Sequence, residues 1–251
     1  VVDAPHGRGT VPVDPARRTA LIFGLFFIGT FVFSIPAVLI YGPVFKAHYV
    51  LGPGADHRVA LAAFLEILTA ICNIATAVVL FPIAKRQSQS VSLGYVASRT
   101  LESTVIVIGA VSLLSIVTLR HAFGGAAGAD AATFVTVGRS LVAFHDWTFL
   151  IGPTFCAGFG NGILLGYLMY RSGLVPRPWA VLGLVGGTLC FAAATARLFT
   201  TNGHTTTLTA LLVAPEIVWE AFLGIYCTFH GFRPSPILDR EPVLPGSEGP
   251  P

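Results

Sequence analysis

The chain has 251 residues, 54% hydrophobic and 11% charged, with a formal net charge of +3 and a mean hydropathy of +0.76. Soluble domains carry about 25% charged residues, so the composition excludes a soluble globular fold and specifies an integral membrane protein. The basic residues are scattered around segment ends and form no patch, which argues against nucleic acid as a partner.

In chain order, residues 1–18 are polar and carry Arg8, Arg17 and Arg18; they read as a short cytoplasmic segment. Six apolar segments follow, near 19–41, 58–83, 93–119, 147–170, 178–199 and 206–231. Each is long enough to cross a hydrocarbon layer of about 30 Å as a helix. The first is too long for a signal-peptide core and lacks a small-residue cleavage site, so it is a retained span. Between the first two spans, residues 42–56 mix Phe45, Tyr49, Val50 and Leu51 with Gly and Pro, as suits the headgroup region. Residues 129–146 space Ala132, Val135, Leu141, Val142 and Phe144 loosely at helical period, predicting a short amphipathic helix along the outer interface. The two together are expected to lid the outer mouth. The tail 234–251 is rich in Pro, Gly and charge and is expected to be a disordered cytoplasmic segment.

The fold class is therefore all-α: a polytopic six-helix transmembrane bundle over 19–233. With six spans, one side collects nine basic residues (Arg8, Arg17, Arg18, Lys85, Arg86, Arg171, Arg177, Arg233, Arg240) and the other five (Lys46, Arg58, Arg120, Arg139, Arg197). Both termini are expected to be cytoplasmic. No 3+3 internal repeat is visible, which weighs against an inverted-repeat transporter. The fourth span carries Gly158, Gly162 and Gly166 and the fifth Gly183 and Gly187, a spacing that lets helix backbones approach closely, either with each other or with a membrane protein partner. All four cysteines fall within spans, with no spacing for zinc, and read as small packing residues.

Charge at bilayer depth costs several kcal/mol unless paired or wetted, and this chain has four glutamates inside its spans. On the second span Glu66, Thr69, Asn73 and Thr76 form one stripe at offsets of a helical turn. On the third, Tyr95, Arg99 and Glu102 share a face, and the Arg–Glu spacing allows a local ion pair. The fourth offers Thr154 and Asn161, and the sixth Glu216 and Glu220 with Trp219 beside them. Four stripes imply a shared polar interior. By depth, Arg99, Glu102, Glu216, Glu220 and Asn161 gather in the inner half. Glu66, His57, His145, Asp146, Arg197 and His204 lie towards the outside, giving two clusters or one column. Glu102, Glu216 and Glu220 share one nearby cation, so one or two are expected to hold a proton at neutral pH. The ligand- or proton-binding candidates are Arg99, Glu102, Glu216, Glu220, Asn161, Glu66, Asn73 and Trp219.

No metal site is assigned. His145 and Asp146 are adjacent and point apart on a helix, and no HExxH-like spacing occurs. No cofactor is expected either: Lys46 and Lys85 sit at membrane edges, which excludes a retinal Schiff base, and a single inner-half histidine, His230, does not make paired haem ligation.

The stretches Tyr95–Ser103 (YVASRTLES), Asn161–Gly187 (NGILLGYLMYRSGLVPRPWAVLGLVGG) and Pro215–Pro234 (PEIVWEAFLGIYCTFHGFRP) resemble the bacterial membrane proteins grouped as domain of unknown function 4386. The similarity runs over most of 19–236. It implies a six-helix protein of the bacterial cytoplasmic (inner) membrane and brings no activity and no catalytic residues. Three functional classes follow from the residues. The first is binding or passage of a small amphiphile, cation or proton through a polar cavity. The second is an intramembrane acid–base enzyme on a lipid-like or isoprenoid substrate, with Trp219 stabilising a carbocation. The third is an accessory subunit of a membrane complex. Membrane lipids are partners in all three. A lateral opening to lipid with a long apolar pocket beside the carboxyls would favour the second class, and the lack of a cavity large enough for a ligand the third.

Overall fold

The computed structural model describes residues 14–46, 48–52, 54–200 and 207–239. His204, the first thirteen residues and the tail beyond 239 lie outside the described residues. Among the described residues, six helices are long and apolar enough to cross a membrane: α1 (Pro15–Ile40), α2 (Asp56–Ala84), α3 (Gln89–Phe123), α4 (Gly128–Ser172), α5 (Arg177–Phe199) and α6 (Thr207–Phe229). The chain is an all-helical, multi-pass membrane protein.

Local chemistry sets the helix ends. Asp14 caps α1, accepting from the Ala16 N–H at 3.0 Å, with Pro15 opening the helix. Ser88 caps α3. Gly173, at φ +70°, ends α4 in the left-handed conformation that a side chain would disfavour, and Pro176 precedes the start of α5.

The helices form a closed ring in which each packs on its sequence neighbours and α6 returns to α1. Apolar surface faces outward all round the ring, as at Leu25, Ile71, Val111, Val185 and Ile225. Inside, two apolar clusters plug the ends. At the end that carries both described termini, Phe23, Phe27, Leu80, Leu165, Met169 and Leu223 pack together. At the far end, Tyr41, Val44, Val59, Leu113 and Ile116 do so. Polar side chains occupy the level between.

Two features differ from the sequence reading. Residues 129–146 form no separate interfacial helix: they are the first half of α4, continuous with the span and antiparallel to α3. The rings of Phe123 and Phe134 stack at 4.2 Å, and Ser112 Oγ donates to the Leu141 carbonyl at 2.6 Å. Their apolar positions fit the side of α3 rather than a lipid headgroup plane. Residues 42–46 and 48–52 do cover the far end, with Val50 set against Gly138 of α4. There Asp56 accepts from both Tyr49 Oη (2.7 Å) and Arg120 Nε (2.8 Å), which ties the loop to α2 and α3.

At the opposite end, Arg17 donates to the carbonyls of Cys227, Thr228 and Phe229 and so satisfies the last turn of α6. The first six residues of the predicted tail, 234–239, fold back against the bundle. Ile237 is buried in the apolar cluster, and Arg86 donates to the carbonyls of Ile237 and Leu238.

Candidate functional site

The middle of α4 departs from α-geometry. Leu150–Cys156 and Gly158–Leu165 are wound as π-helix. Pro153 offers no N–H and its ring crowds the carbonyl one turn back, a conflict that a wider turn relieves. Neighbouring helices then satisfy the loosened carbonyls: Ser98 Oγ donates to Cys156 O (3.1 Å), Cys190 Sγ to Thr154 O (3.3 Å) and Trp219 Nε1 to Asn161 O (3.0 Å). The unwound segment thus faces α3, α5 and α6 at mid-bundle, where the polar stripes meet.

The glycine faces are spent here. A Cβ on Gly162 would collide with the backbone of Gly187, and one on Gly158 would lie 2.9 Å from Phe191 N. On α5, Gly183 leaves room for the Trp219 indole at 2.5 Å from the position of a Cβ. At these glycines α4, α5 and α6 pack on one another.

The α2 stripe is buried throughout, at Glu66, Thr69, Asn73 and Thr76. Arg99 and Glu102 form the ion pair that their spacing allows, Arg99 Nη1 donating to Glu102 Oε2 at 2.6 Å. Arg99 Nη2 donates to Asn73 Oδ1 and its Nε to Asn73 O at 3.4 Å, while Asn73 Nδ2 donates to Glu102 Oε1 at 3.2 Å. This is a closed α2–α3 clasp. It does not reach α6, so a single arginine does not hold the glutamates of two helices together.

Glu220 instead accepts from Asn161 Nδ2. Glu216 points into the α4–α5 seam beside Gly162, buried, and neither of its carboxyl oxygens has a hydrogen-bond partner. At the far side, Glu66 Oε2 accepts from Tyr41 Oη at 2.8 Å, and Glu66 Oε1 stands 3.8 Å from His145 Nε2. His57 is exposed and takes no part. Asp146, 64% exposed, lies 3.8 Å from His145 Nδ1. Among the described residues no group of three or more His, Cys, Asp or Glu is arranged to hold a metal ion.

A cavity of about 450 Å³ connects the two clusters into one column. Of the eight candidates, Arg99, Glu102, Glu220, Glu66 and Asn73 line it. Asn161 stands behind Glu220. Glu216 and Trp219 belong to the helix seam, and the fully buried Trp219 is not among the residues that line the cavity. Tyr41 and the π-helix were not foreseen. Tyr41 closes an apolar run, where a tyrosine reads as an interface anchor, and the signal for the π-turn was Pro153 followed by alternating glycines.

The cavity is not sealed. Its remaining walls mix His145 and the hydroxyl side chains Thr30, Ser34, Thr69, Thr148 and Thr154 with apolar side chains, and several of the apolar ones are also outer surface: Leu39 is 73% exposed, Ile35 55% and Ile217 50%. Side chains that belong to both the cavity and the lipid-facing surface mark an opening, here between α1 and α6. These two helices pack closely near the termini, where Gly24 meets Thr228 and Ile28 meets Gly224. Pro36 in α1 and Pro215 in α6 lie beside the opening, each removing a helix-ladder hydrogen bond.

Fold and site define a six-helix membrane protein with a polar chamber at mid-depth that opens sideways. The chain belongs to the family described as Domain of unknown function (DUF4386), whose model matches residues 22–231. Neither a curated protein nor a solved structure matches it.

Proposed function

We propose that the protein takes an amphiphile out of the surrounding bilayer through the α1–α6 opening and holds its polar head in the chamber. The carrying observation is the coincidence of one cavity with two surfaces: apolar walls continuous with the lipid face, and Glu66, Glu102, Glu220, Asn73 and Arg99 at its inner wall. A free inorganic ion would need an aqueous path, and the apolar clusters at both ends favour entry from the side. Burying an alkyl chain in such a chamber is favourable by about 0.8 kcal/mol per CH₂ relative to water, but nearly neutral relative to lipid. Selectivity therefore resides in the head group. The excess of basic residues at the terminus end orients that end to the cytoplasm of a bacterial inner membrane.

A twelve-carbon alcohol carrying a photoreactive diazirine on its chain tests this in lipid nanodiscs, with adducts mapped by peptide mass spectrometry. Labelling of the internal wall at Thr69, Ile106 or Thr148 is the expected result. Adducts confined to outward residues such as Val181 and Val185 of α5 would remove the proposal.

A second reading is favoured by the same opening: acid–base chemistry on a lipid-like or isoprenoid substrate, with Glu220 as the proton donor or acceptor. Only one of the Glu220 oxygens is engaged, by Asn161, so the other is available to a substrate. Conversion of the bound amphiphile, rather than its unchanged recovery, separates the two. The accessory-subunit reading has no comparable observation, since the glycine faces are used internally.

A further inference from the structure

The proposal that the chamber holds an amphiphile leaves the head group open, and the partners of the charged side chains that line it narrow it. We infer that the head group is a cationic amine bearing N–H donors.

Five ionisable side chains line the cavity: Glu66, Glu102, Glu220, Arg99 and His145. Arg99 is spent. Its charge is balanced by Glu102 at 2.6 Å, three of its five N–H groups are engaged by Glu102 and Asn73, and its guanidinium lies 5.9 Å from the Phe27 ring. Two carboxyl oxygens are left over. Glu66, itself only 7% exposed, has Oε1 3.8 Å from His145 Nε2, beyond hydrogen-bond distance. On Glu220, Asn161 engages Oε1 alone. His145 stands beside Glu66, and among the described residues no cationic side chain comes within 4 Å of Glu220.

Carboxyl oxygens that face such a chamber, one on the buried Glu66 and one on the partly buried Glu220, call for donors, and carboxylates for positive charge. An ammonium supplies both on one atom. A carboxylate or phosphate head would face Glu66 and Glu220, with the only fixed cation already paired. A hydroxyl head would satisfy one acceptor and balance no charge. The amine's chain would run out between Ile35 and Ile217 into the bilayer.

The test uses competition against the photoreactive alcohol in nanodiscs of phosphatidylcholine, a lipid without N–H donors. Dodecylamine, dodecanoate and dodecanol are compared at about pH 8, where the amine is charged and the acid ionised. Dodecylamine is expected to suppress labelling at concentrations roughly tenfold or more below the other two, the ratio for one charge-assisted hydrogen bond. The double variant Glu66→Gln, Glu220→Gln is expected to erase that preference. Equal or better suppression by dodecanoate would overturn the inference and leave the amphiphile reading standing. So would an amine preference undiminished in the double variant. Failure of the alcohol probe to reach the internal wall at all would instead sink both. The comparison of three competitors on the unmodified chain does not depend on the variants folding.

Discussion

Replacing Arg99 with methionine removes the one fixed cation of the polar level while keeping an unbranched side chain of similar reach. Arg99 is 2% exposed and Glu102 4%, so neither recovers its hydration when the other is lost. The change leaves Glu102 with only Asn73 Nδ2 at 3.2 Å and strips Asn73 Oδ1 of its donor, while the Asn73 carbonyl keeps Thr76 Oγ1 at 2.7 Å. Breaking one side of a buried pair costs about 3–5 kcal/mol, and Arg99→Met is expected to fall in that range. Removing both partners with Arg99→Met, Glu102→Leu leaves only the orphaned asparagine amide, worth about 1–3 kcal/mol. The double variant is therefore expected to be more stable than either single one. Reversible unfolding in mixed micelles, followed by the fluorescence of the three tryptophans, gives all the free energies on one scale. A double variant whose loss equals the sum of the singles within about 0.5 kcal/mol would refute the clasp, since independent sites add to that accuracy.

Glu220→Gln and Glu66→Gln are expected to change stability by less than about 1 kcal/mol, because glutamine still accepts from Asn161 and Tyr41 and no cation is lost; the same unfolding assay checks this. Gly162→Ala is expected to prevent normal folding, as its Cβ would lie 2.6 Å from Glu216 Oε2 and collide with the Gly187 backbone, whereas Gly94→Ala meets Leu164 at an ordinary 3.5 Å. Gly94→Ala should leave stability unchanged or raise it by about 0.5–1 kcal/mol, the helix-interior cost of glycine, read from the yield and unfolding of folded protein. Ile237→Ala is expected to cost about 2–4 kcal/mol and to make the segment 231–239 susceptible to protease while the spans stay intact.

The spans were legible because the bilayer imposes length and apolarity, and only their edges moved, except in α4, which takes in the segment 129–146 as well. The Arg99–Glu102 pair and the α2 stripe followed from helical periodicity, which places residues three and four apart on one face whatever the partner. Periodicity does not say which face of a neighbour a stripe meets. Glu216 and Glu220 are one turn apart on one helix, yet one enters the α5 seam and the other the chamber. That choice was made by Gly162 and Gly187, whose missing side chains draw α4 and α5 together behind Glu216. Residues 129–146 misled for a related reason. Their apolar positions fit an interface plane or the side of a second helix equally well, and only α3, twelve residues longer than α5, supplies that second helix. The chamber was illegible because an opening is a relation between α1 and α6, made by where they fail to touch.

Imaging the protein by cryo-electron microscopy in a lipid nanodisc, with a bound antibody fragment as fiducial, tests the sideways-opening chamber most directly. The account predicts elongated non-protein density entering between Ile35 and Ile217 and ending within hydrogen-bond distance of Glu220 or Glu66. Closed packing of α1 on α6 along their whole length, with the glutamates sealed from lipid, would contradict it.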